Sequence, residues 1–327
     1  MKKQTTPKKP LDDLTLMQIM RRFSTEDSAR EYFEKLRWPN GPVCPHCGNC
    51  DSDRVYKLTP NAEKKIRAGL YKCADCKESF TVTMGTVMED SHVTLNKWLI
   101  AFYIICASKT QVSALQIQRQ LELGSYRTAW FLCHRIRFSL VNAAPDDLLS
   151  GTVEADETYI GGKKRGMGRR YIGNKTAVVS LVERDGRVRS NVVEMVNGKE
   201  ITKLLKKHVS SDAHLNSDES PMYRKAGRDF ASHDVVNHSK EEYGRFDQNT
   251  GRLATTNTVE GFFGNSKRAI DGTHHHISKK HTGLYFSEID YKYNTRKVTD
   301  GERTILGIKQ MNGKRLMLRR PHTTVKG

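Results

Sequence analysis

The 327-residue sequence has no long apolar run. Its richest hydrophobic stretch extends only from Trp98 to Ala107, whereas a transmembrane helix needs roughly 18 apolar residues. This stretch therefore suits a buried helix. Residues 1–10 lack the apolar segment of a secretory signal. We therefore expect a cytoplasmic, nucleoid-associated protein with no membrane partner.

Acidic residues are scarce relative to basic ones. The chain has 37 Asp and Glu against 55 Lys and Arg, which gives a net charge of +18. A surplus of this size indicates a polyanionic partner, and nucleic acid is the usual one. Cysteines number only seven, and four of them form two CxxC pairs. That pattern is typical of a reducing compartment rather than of a disulfide framework.

The two CxxC pairs, Cys44–Cys47 and Cys73–Cys76, have the arrangement of a zinc ribbon. Tetrahedral Zn²⁺ takes four soft ligands from two tight turns, and short flanking segments can supply the ribbon strands. We expect one structural zinc ion on these four cysteines. Cys50 lies close to the first pair, whereas Cys106 and Cys133 lie in apolar helical contexts typical of a core.

A helical region follows the ribbon. An apolar face that includes Leu95, Trp98 and Phe102 predicts a first helix, and residues 113–121 and 126–138 predict two more around a Gly-containing turn. A short helix, a turn and a basic helix are typical of a helix-turn-helix motif. Its expected DNA contacts are Arg127, Arg135 and Arg137.

The stretch from Gly151 to Gly162 reads as a β-strand with three acidic residues, Glu154, Asp156 and Glu157. Carboxylates crowded into a strand are costly unless a cation offsets them, and beside nucleic acid that cation is usually Mg²⁺. The alternative is an edge strand with a solvated acidic face. A Gly-rich basic loop follows, and we expect it to contact DNA phosphates through Lys163, Lys164, Arg165, Arg169 and Arg170.

The downstream pattern favours a metal site. Two strands over residues 176–183 and 188–196, a helix, a short strand near residues 213–217, another strand and a second helix follow in turn. This is the order of an RNase H-like mixed α/β core. It places Asp156 in the first strand, Asp218 at the end of the fourth and Glu260 on the helix after the fifth. These acids would hold two Mg²⁺ ions.

The second and third metal ligands each have an alternative residue. Asp212 competes with Asp218 as the second acid, and Asn257 competes with Glu260 as the third ligand. Asp218 has the better strand-end context. Glu260 adds a third negative charge against two Mg²⁺, whereas Asn257 is neutral and would orient DNA or water. Lys267 lies two helical turns beyond Glu260, where it could hold a phosphate.

Several motifs together resemble the bacterial insertion-sequence transposases of the zinc-ribbon, DDE-type group. The resemblance rests on the ribbon, the helix-turn-helix and five later motifs: Glu154–Gly162, Ser217–Glu219, Asn257–Arg268, Gly272–His281 and Tyr291–Arg296. It implies binding of transposon ends, Mg²⁺-dependent strand cleavage by water, and joining of the freed 3′-OH to target DNA. It also implies a homo-oligomer on double-stranded DNA, because two ends must be paired.

The predicted fold is a multidomain α/β chain. It comprises an N-terminal helical segment (1–40), a zinc ribbon (41–90), a helix-turn-helix region (91–145), an RNase H-like catalytic domain (146–300) and a basic C-terminal tail (301–327). Two rival functions are a DNA-binding regulator without catalysis and an RNase H-like nuclease without strand transfer. The regulator leaves the spaced carboxylates unexplained, and the nuclease needs no ribbon for end recognition.

Overall fold

The computed structural model describes residues 14–141, 147–162, 173, 175–248 and 251–317. The chain divides into two compact units. One comprises residues 1–140 together with 298–327, and the other comprises residues 141–297. Of the helices in the described ranges, none combines the length and apolarity that a bilayer-spanning segment requires.

The first unit contains a small antiparallel sheet and six helices among its described residues. Its helices begin at capping residues that sequence preferences favour: the side chains of Thr25, Ser113 and Ser125 each accept a hydrogen bond from a backbone amide of the first turn. The elements are α1 (Leu16–Arg22), α2 (Glu26–Arg37), β1 (Val55–Lys57), β2 (Tyr71–Cys73), β3 (Ser79–Phe80), α3 (Leu95–Ala107), α4 (Ala114–Gln120), α5 (Tyr126–Ser139) and α10 (Asp300–Lys309).

Helix α10 returns the C-terminal part of the chain to this first unit. Thr304, Ile308 and Met311 are buried, and Arg303 donates a hydrogen bond to the Cys106 carbonyl of α3 at 3.4 Å. Lys314 donates to the Ser139 carbonyl at the end of α5 at 2.6 Å. The segment predicted as a basic tail therefore begins with a packed helix.

The second unit is a mixed α/β domain. Helix α7 begins with Ser220 as its N-cap and Pro221 in its first turn, as predicted. The elements are β4 (Thr152–Ile160), β5 (Thr176–Glu183), β6 (Val188–Val193), α6 (Gly198–His208), β7 (His214–Asp218), α7 (Pro221–Ala226), β8 (Ser232–Val236), β9 (Arg245–Asp247), β10 (Arg252–Ala254), α8 (Asn257–His274) and α9 (Thr282–Asn294).

Five strands form the central sheet in the order β6-β5-β4-β7-β8. The β4–β5 and β5–β6 pairs are antiparallel, whereas β4–β7 and β7–β8 are parallel. This is the RNase H-like arrangement that the sequence predicts. A short hairpin of β9 and β10, absent from the prediction, precedes α8.

Alternation along β4 sends its side chains to two different cores. Val153 and Ala155 pack in the cluster that contains residues of α6 and α7. Ile160 packs in the opposite cluster, which contains residues of α8 and α9. Glu154 and Asp156 share the parity of Ile160, so they belong to the face covered by α8.

Candidate metal centres

The four predicted cysteines form one cluster. The sulfur atoms of Cys44, Cys47, Cys73 and Cys76 all lie within 4.8 Å of one another. Cys44 and Cys76 are separated by 3.6 Å between sulfurs, as are Cys47 and Cys73. A tetrahedron with Zn–S bonds of about 2.3 Å has edges of roughly 3.8 Å, so this donor set fits a zinc ion.

The backbone shapes both CxxC turns in the same way. The Cys44 amide donates to the Asn49 carbonyl at 2.9 Å, and the Cys73 amide donates to the Glu78 carbonyl at 3.0 Å. The residue after each pair has positive φ, 78° at Gly48 and 63° at Lys77. Two matching turns therefore present four thiols to one point. Cys50 is exposed and outside this cluster, and Cys106 and Cys133 are buried.

The predicted recognition helix is α5, but its arginines differ in exposure. Arg127, in the first turn, is exposed. Arg135 and Arg137 are 7% and 1% exposed. The Arg137 guanidinium donates to the Val112 carbonyl at 3.3 Å, and that of Arg135 lies 4.5 Å from the centre of the Phe131 ring. Both side chains therefore pack largely inside the first unit, which disfavours the predicted DNA contacts of Arg135 and Arg137.

Parallel pairing of β4 with β7 brings two of the predicted acids together. Ala155 is the register partner of Ser217, so the next residues, Asp156 and Asp218, leave the paired region at the same edge of the sheet. Asp212 is exposed and precedes the start of β7, at the opposite end of this pairing. The structure thus brings Asp218, and not Asp212, beside Asp156.

Concentrated negative charge marks this edge. Burial raises the pKa of Asp156 to about 7, and the neighbouring carboxylates Glu157, Asp218 and Glu260 add to the increase. Burial also raises the pKa of Asp218, to which Glu219 and Glu260 contribute while His238 opposes the change. The fields of these acids overlap, so a bound cation would be stabilised here.

Glu260 lies in the first turn of α8. Its Oε1 atom lies 3.0 Å from His238 Nε2 and accepts a hydrogen bond from Thr256 Oγ1 at 2.9 Å. The carboxylates lie farther apart than the four cysteines do. Among the described residues, the cysteines are the single group of three or more ligating side chains that is so tightly clustered. Their oxygen donors nevertheless suit Mg²⁺.

The remaining predicted residues lie as follows. Asn257 and Lys267 are exposed on α8. Lys163, Lys164, Arg165, Arg169 and Arg170 fall outside the described residues. Glu157 points to the other face of the sheet, where it accepts a hydrogen bond from the Tyr223 hydroxyl at 2.9 Å.

Sequence reasoning missed His238 and the role of Glu154. His238 lies two residues beyond the end of β8 and was the last residue of the stretch predicted as the fifth strand, so its place at a strand end was the available signal. Glu154 is fully buried, and besides Arg184 its partners lie on a helix that begins about a hundred residues later in the chain. No local sequence pattern predicts the contacts between Glu154 and this helix.

Two family models match the sequence. Residues 148–294 match the ISXO2-like transposase domain, and residues 24–79 match the transposase zinc-ribbon domain. The second match begins before α2, so the helix preceding the ribbon is part of that domain. There Glu34 of α2 accepts hydrogen bonds from Tyr71 and Lys57 of the ribbon strands, at 2.9 and 2.8 Å.

Similar proteins include an uncharacterized protein in transposable element ISH50 of Halobacterium salinarum. It is 32% identical over 150 residues, which are 44% of this chain and 45% of that protein. The match thus spans less than half of the curated relative's length.

Solved structures with weaker similarity are the Mos1 transposase paired-end complex with left transposon end and the Mos1 strand transfer complex. The first is 15% identical over 64% of this chain and 77% of that one, with a TM-score of 0.20. The second is 16% identical over 67% and 78%, with a TM-score of 0.21. The fold assignment rests on the sheet order and the family matches.

The four-thiol ribbon, the RNase H-like sheet order and the two domain matches agree with one another. The chain therefore joins a transposase zinc-ribbon domain to an ISXO2-like transposase domain, as expected for the insertion-sequence transposases that it resembles.

Proposed function

We propose that this protein binds the ends of its transposon, cleaves the DNA there with divalent metal and joins the freed 3′-OH ends to target DNA as a homo-oligomer. The observation that carries the proposal is the meeting of Asp156 and Asp218 at one sheet edge, within the electrostatic field of Glu260. A regulator that only binds DNA has no use for such a costly group of carboxylates.

Asp156, Asp218 and Glu260 would hold the metal. Two Mg²⁺ ions bound by these carboxylates would activate water and stabilise the departing oxygen of a phosphodiester. Glu260 supplies charge that Asn257 lacks, so we assign the third ligand to Glu260 and the orientation of DNA or water to Asn257. The contacts of Glu260 with His238 and Thr256 hold its carboxylate at the N-terminal end of α8.

DNA recognition is assigned to the first unit. The zinc ribbon and the helix-turn-helix would select the transposon end, with Arg127 facing the DNA. Lys163, Lys164, Arg165, Arg169 and Arg170 would hold phosphates near the acids, and Lys267, exposed on α8, would do the same. Phosphate contacts carry no sequence information, so these residues contribute affinity rather than selectivity.

The decisive experiment uses DNA carrying the terminal inverted repeats that flank the coding region. We expect cleavage in Mg²⁺ to be lost in Asp156→Asn, Asp218→Asn and Glu260→Gln, with end binding retained in all three. Normal cleavage by Glu260→Gln combined with loss in Asn257→Ala would transfer the third ligand to Asn257. Cleavage without joined products would favour the nuclease, and selective binding without cleavage by the native chain would favour the regulator.

A further inference from the structure

We propose that Glu154 and Asn216, joined by Arg184, are positioning residues that fix the start of α8, and with it Glu260, relative to Asp156 and Asp218. This inference rests on the proposed function, because it concerns how the same site is assembled. None of the three is proposed to touch metal or DNA.

The N-terminal turn of α8 is bound by a buried acid from another element. Glu154 Oε2 accepts hydrogen bonds from the amides of Thr258 and Val259 at 2.7 and 3.1 Å. Glu154 Oε1 accepts from the Thr258 hydroxyl at 2.8 Å. A carboxylate in this position also interacts favourably with the helix dipole.

Helix α8 depends on Glu154 because its own N-cap residue does not accept a hydrogen bond from the first amides of the helix. Thr256, the N-cap residue, makes no side-chain capping hydrogen bond. The first amides of a helix have no partner within the helix. Here the Asn257 amide donates to Thr255 Oγ1 at 3.2 Å, and Glu154 accepts from the next two amides. The helix start is therefore defined by β4.

Asn216 holds the backbone that leads into α8. Its side-chain amide donates to the Thr255 carbonyl at 3.1 Å and to the Leu253 carbonyl at 3.4 Å. Arg184 joins the two contacts, because it donates to Glu154 Oε1 at 2.9 Å and to the same Leu253 carbonyl at 2.9 Å. Glu154 and Asn216 are both almost completely buried, so water does not compete for these bonds.

The sheet register explains why this network governs the acid site. Glu154 and Asn216 are partners in the β4–β7 pairing. Each precedes one of the predicted acids, Asp156 or Asp218, by two residues, so in extended strands it faces the same side as that acid. One pair of neighbouring side chains thus fixes α8 to the same two strands that carry the acids, and Glu260 follows Thr258 by only two residues.

The test measures Mn²⁺ binding to the full-length chain, with and without transposon-end DNA. We expect Asn216→Ala and Thr258→Val to weaken Mn²⁺ binding by about 10- to 100-fold, the usual effect of removing a residue that orients metal ligands. Cleavage should recover in part at high metal concentration. Glu154→Gln should show a larger loss, and the two milder variants keep the test valid if it fails to fold.

Ser190→Ala is the matched control. Ser190 of β6 donates to half-buried Asp290 of α9 at 2.7 Å, so its loss also removes a bond between the sheet and a helix, but one away from the acids. At comparable losses of melting temperature, this variant should bind Mn²⁺ as the native chain does. Equal weakening in Ser190→Ala and Asn216→Ala would overturn the positioning role.

Asp156→Asn separates this inference from the proposed function. Loss of Mn²⁺ binding in Asp156→Asn with native binding in Asn216→Ala and Thr258→Val would overturn the positioning role alone. Native Mn²⁺ binding in Asp156→Asn, or none in the native chain, would overturn the metal site itself and the positioning role with it.

Discussion

Asp156 combines burial with three acidic neighbours, and this has a consequence for stability. Because burial raises its pKa from 3.8 to about 7, the folded state holds this proton more tightly than the unfolded state does. Stability from this group is therefore present at low pH and is lost as the pH rises from about 4 to about 7. A pKa increase of this size corresponds to at most about 4 kcal/mol in the free energy of unfolding.

We therefore predict that Asp156→Asn melts at a higher temperature than the native chain at pH 8 in EDTA. The difference should shrink as the pH falls and vanish near pH 4. Asp212→Asn, which alters an exposed acid before β7, should show no such gain. Thermal unfolding followed across this pH range measures the effect, and a lower midpoint for Asp156→Asn at pH 8 would contradict it.

The arginines of α5 have different roles that only their burial reveals. Arg127→Ala should weaken end binding and reduce the slope of log affinity against log salt by about one, as expected for one lost phosphate contact, without changing the melting temperature. Arg137→Ala should instead lower the melting temperature, because its buried guanidinium donates to the Val112 carbonyl. Salt-dependent DNA binding and thermal unfolding distinguish the Arg127→Ala variant from the Arg137→Ala variant. Equal melting of the two variants would refute the assignment.

Single residues also show where sequence reasoning ended. The cysteines and the sheet acids were predictable, because CxxC spacing and strand alternation are local patterns. Burial of Arg135 and Arg137 was not, since charged side chains on a helix normally face solvent. The helix amides that Glu154 binds begin at Thr258, so its role depends on a contact that only the complete fold defines.

At the scale of elements, the zinc ribbon is the clearest case of a fold fixed by its ligands. Its three strands are only two or three residues long, and such short strands have little stability of their own. An aromatic cluster of Trp38, Tyr71 and Phe80 supports them, with ring centroids 5.2 to 5.8 Å apart. Metal binding therefore supplies folding free energy here.

We predict one zinc ion per chain in the purified protein. Cys73→Ser should lose the ion, lower the melting temperature and abolish end binding, because the ribbon unfolds without its metal. Cys50→Ser is the control, since Cys50 is exposed and lies outside the cluster; it should keep full zinc content. Elemental analysis decides the matter, and a Cys73→Ser protein with native zinc content would show the assignment to be wrong.

The order of elements in the second unit follows from the sequence more fully than in the first. Strands β5 and β6 have an apolar, β-branched pattern, and turns or helices separate the five strands of the central sheet, so their order was readable. The β9–β10 hairpin was missed because its strands are three residues long and carry exposed side chains such as Phe246. Short exposed strands have no periodicity to detect.

At the scale of the whole molecule, the least predictable feature is the return of the C-terminal segment to the first unit. Ile308 and Met311 are at most 1% exposed, and Gly313 donates a backbone hydrogen bond to the Gly85 carbonyl at 2.9 Å. Nothing in the basic composition of residues 301–327 indicates such a non-local contact. A DNA-binding fragment that ends near residue 142 would lack this packing.

Deletion of residues 298–327 should therefore destabilise the first unit. Burial of each large apolar side chain contributes about 1.5–3 kcal/mol, and the bonds from Arg303 and Lys314 to backbone carbonyls are lost as well. We expect a lower melting temperature and weaker end binding, with zinc content retained because all four cysteines remain. Deletion of residues 318–327 alone leaves α10 intact and should change the melting temperature little. Equal melting of the two truncated chains would contradict a stabilising role for α10.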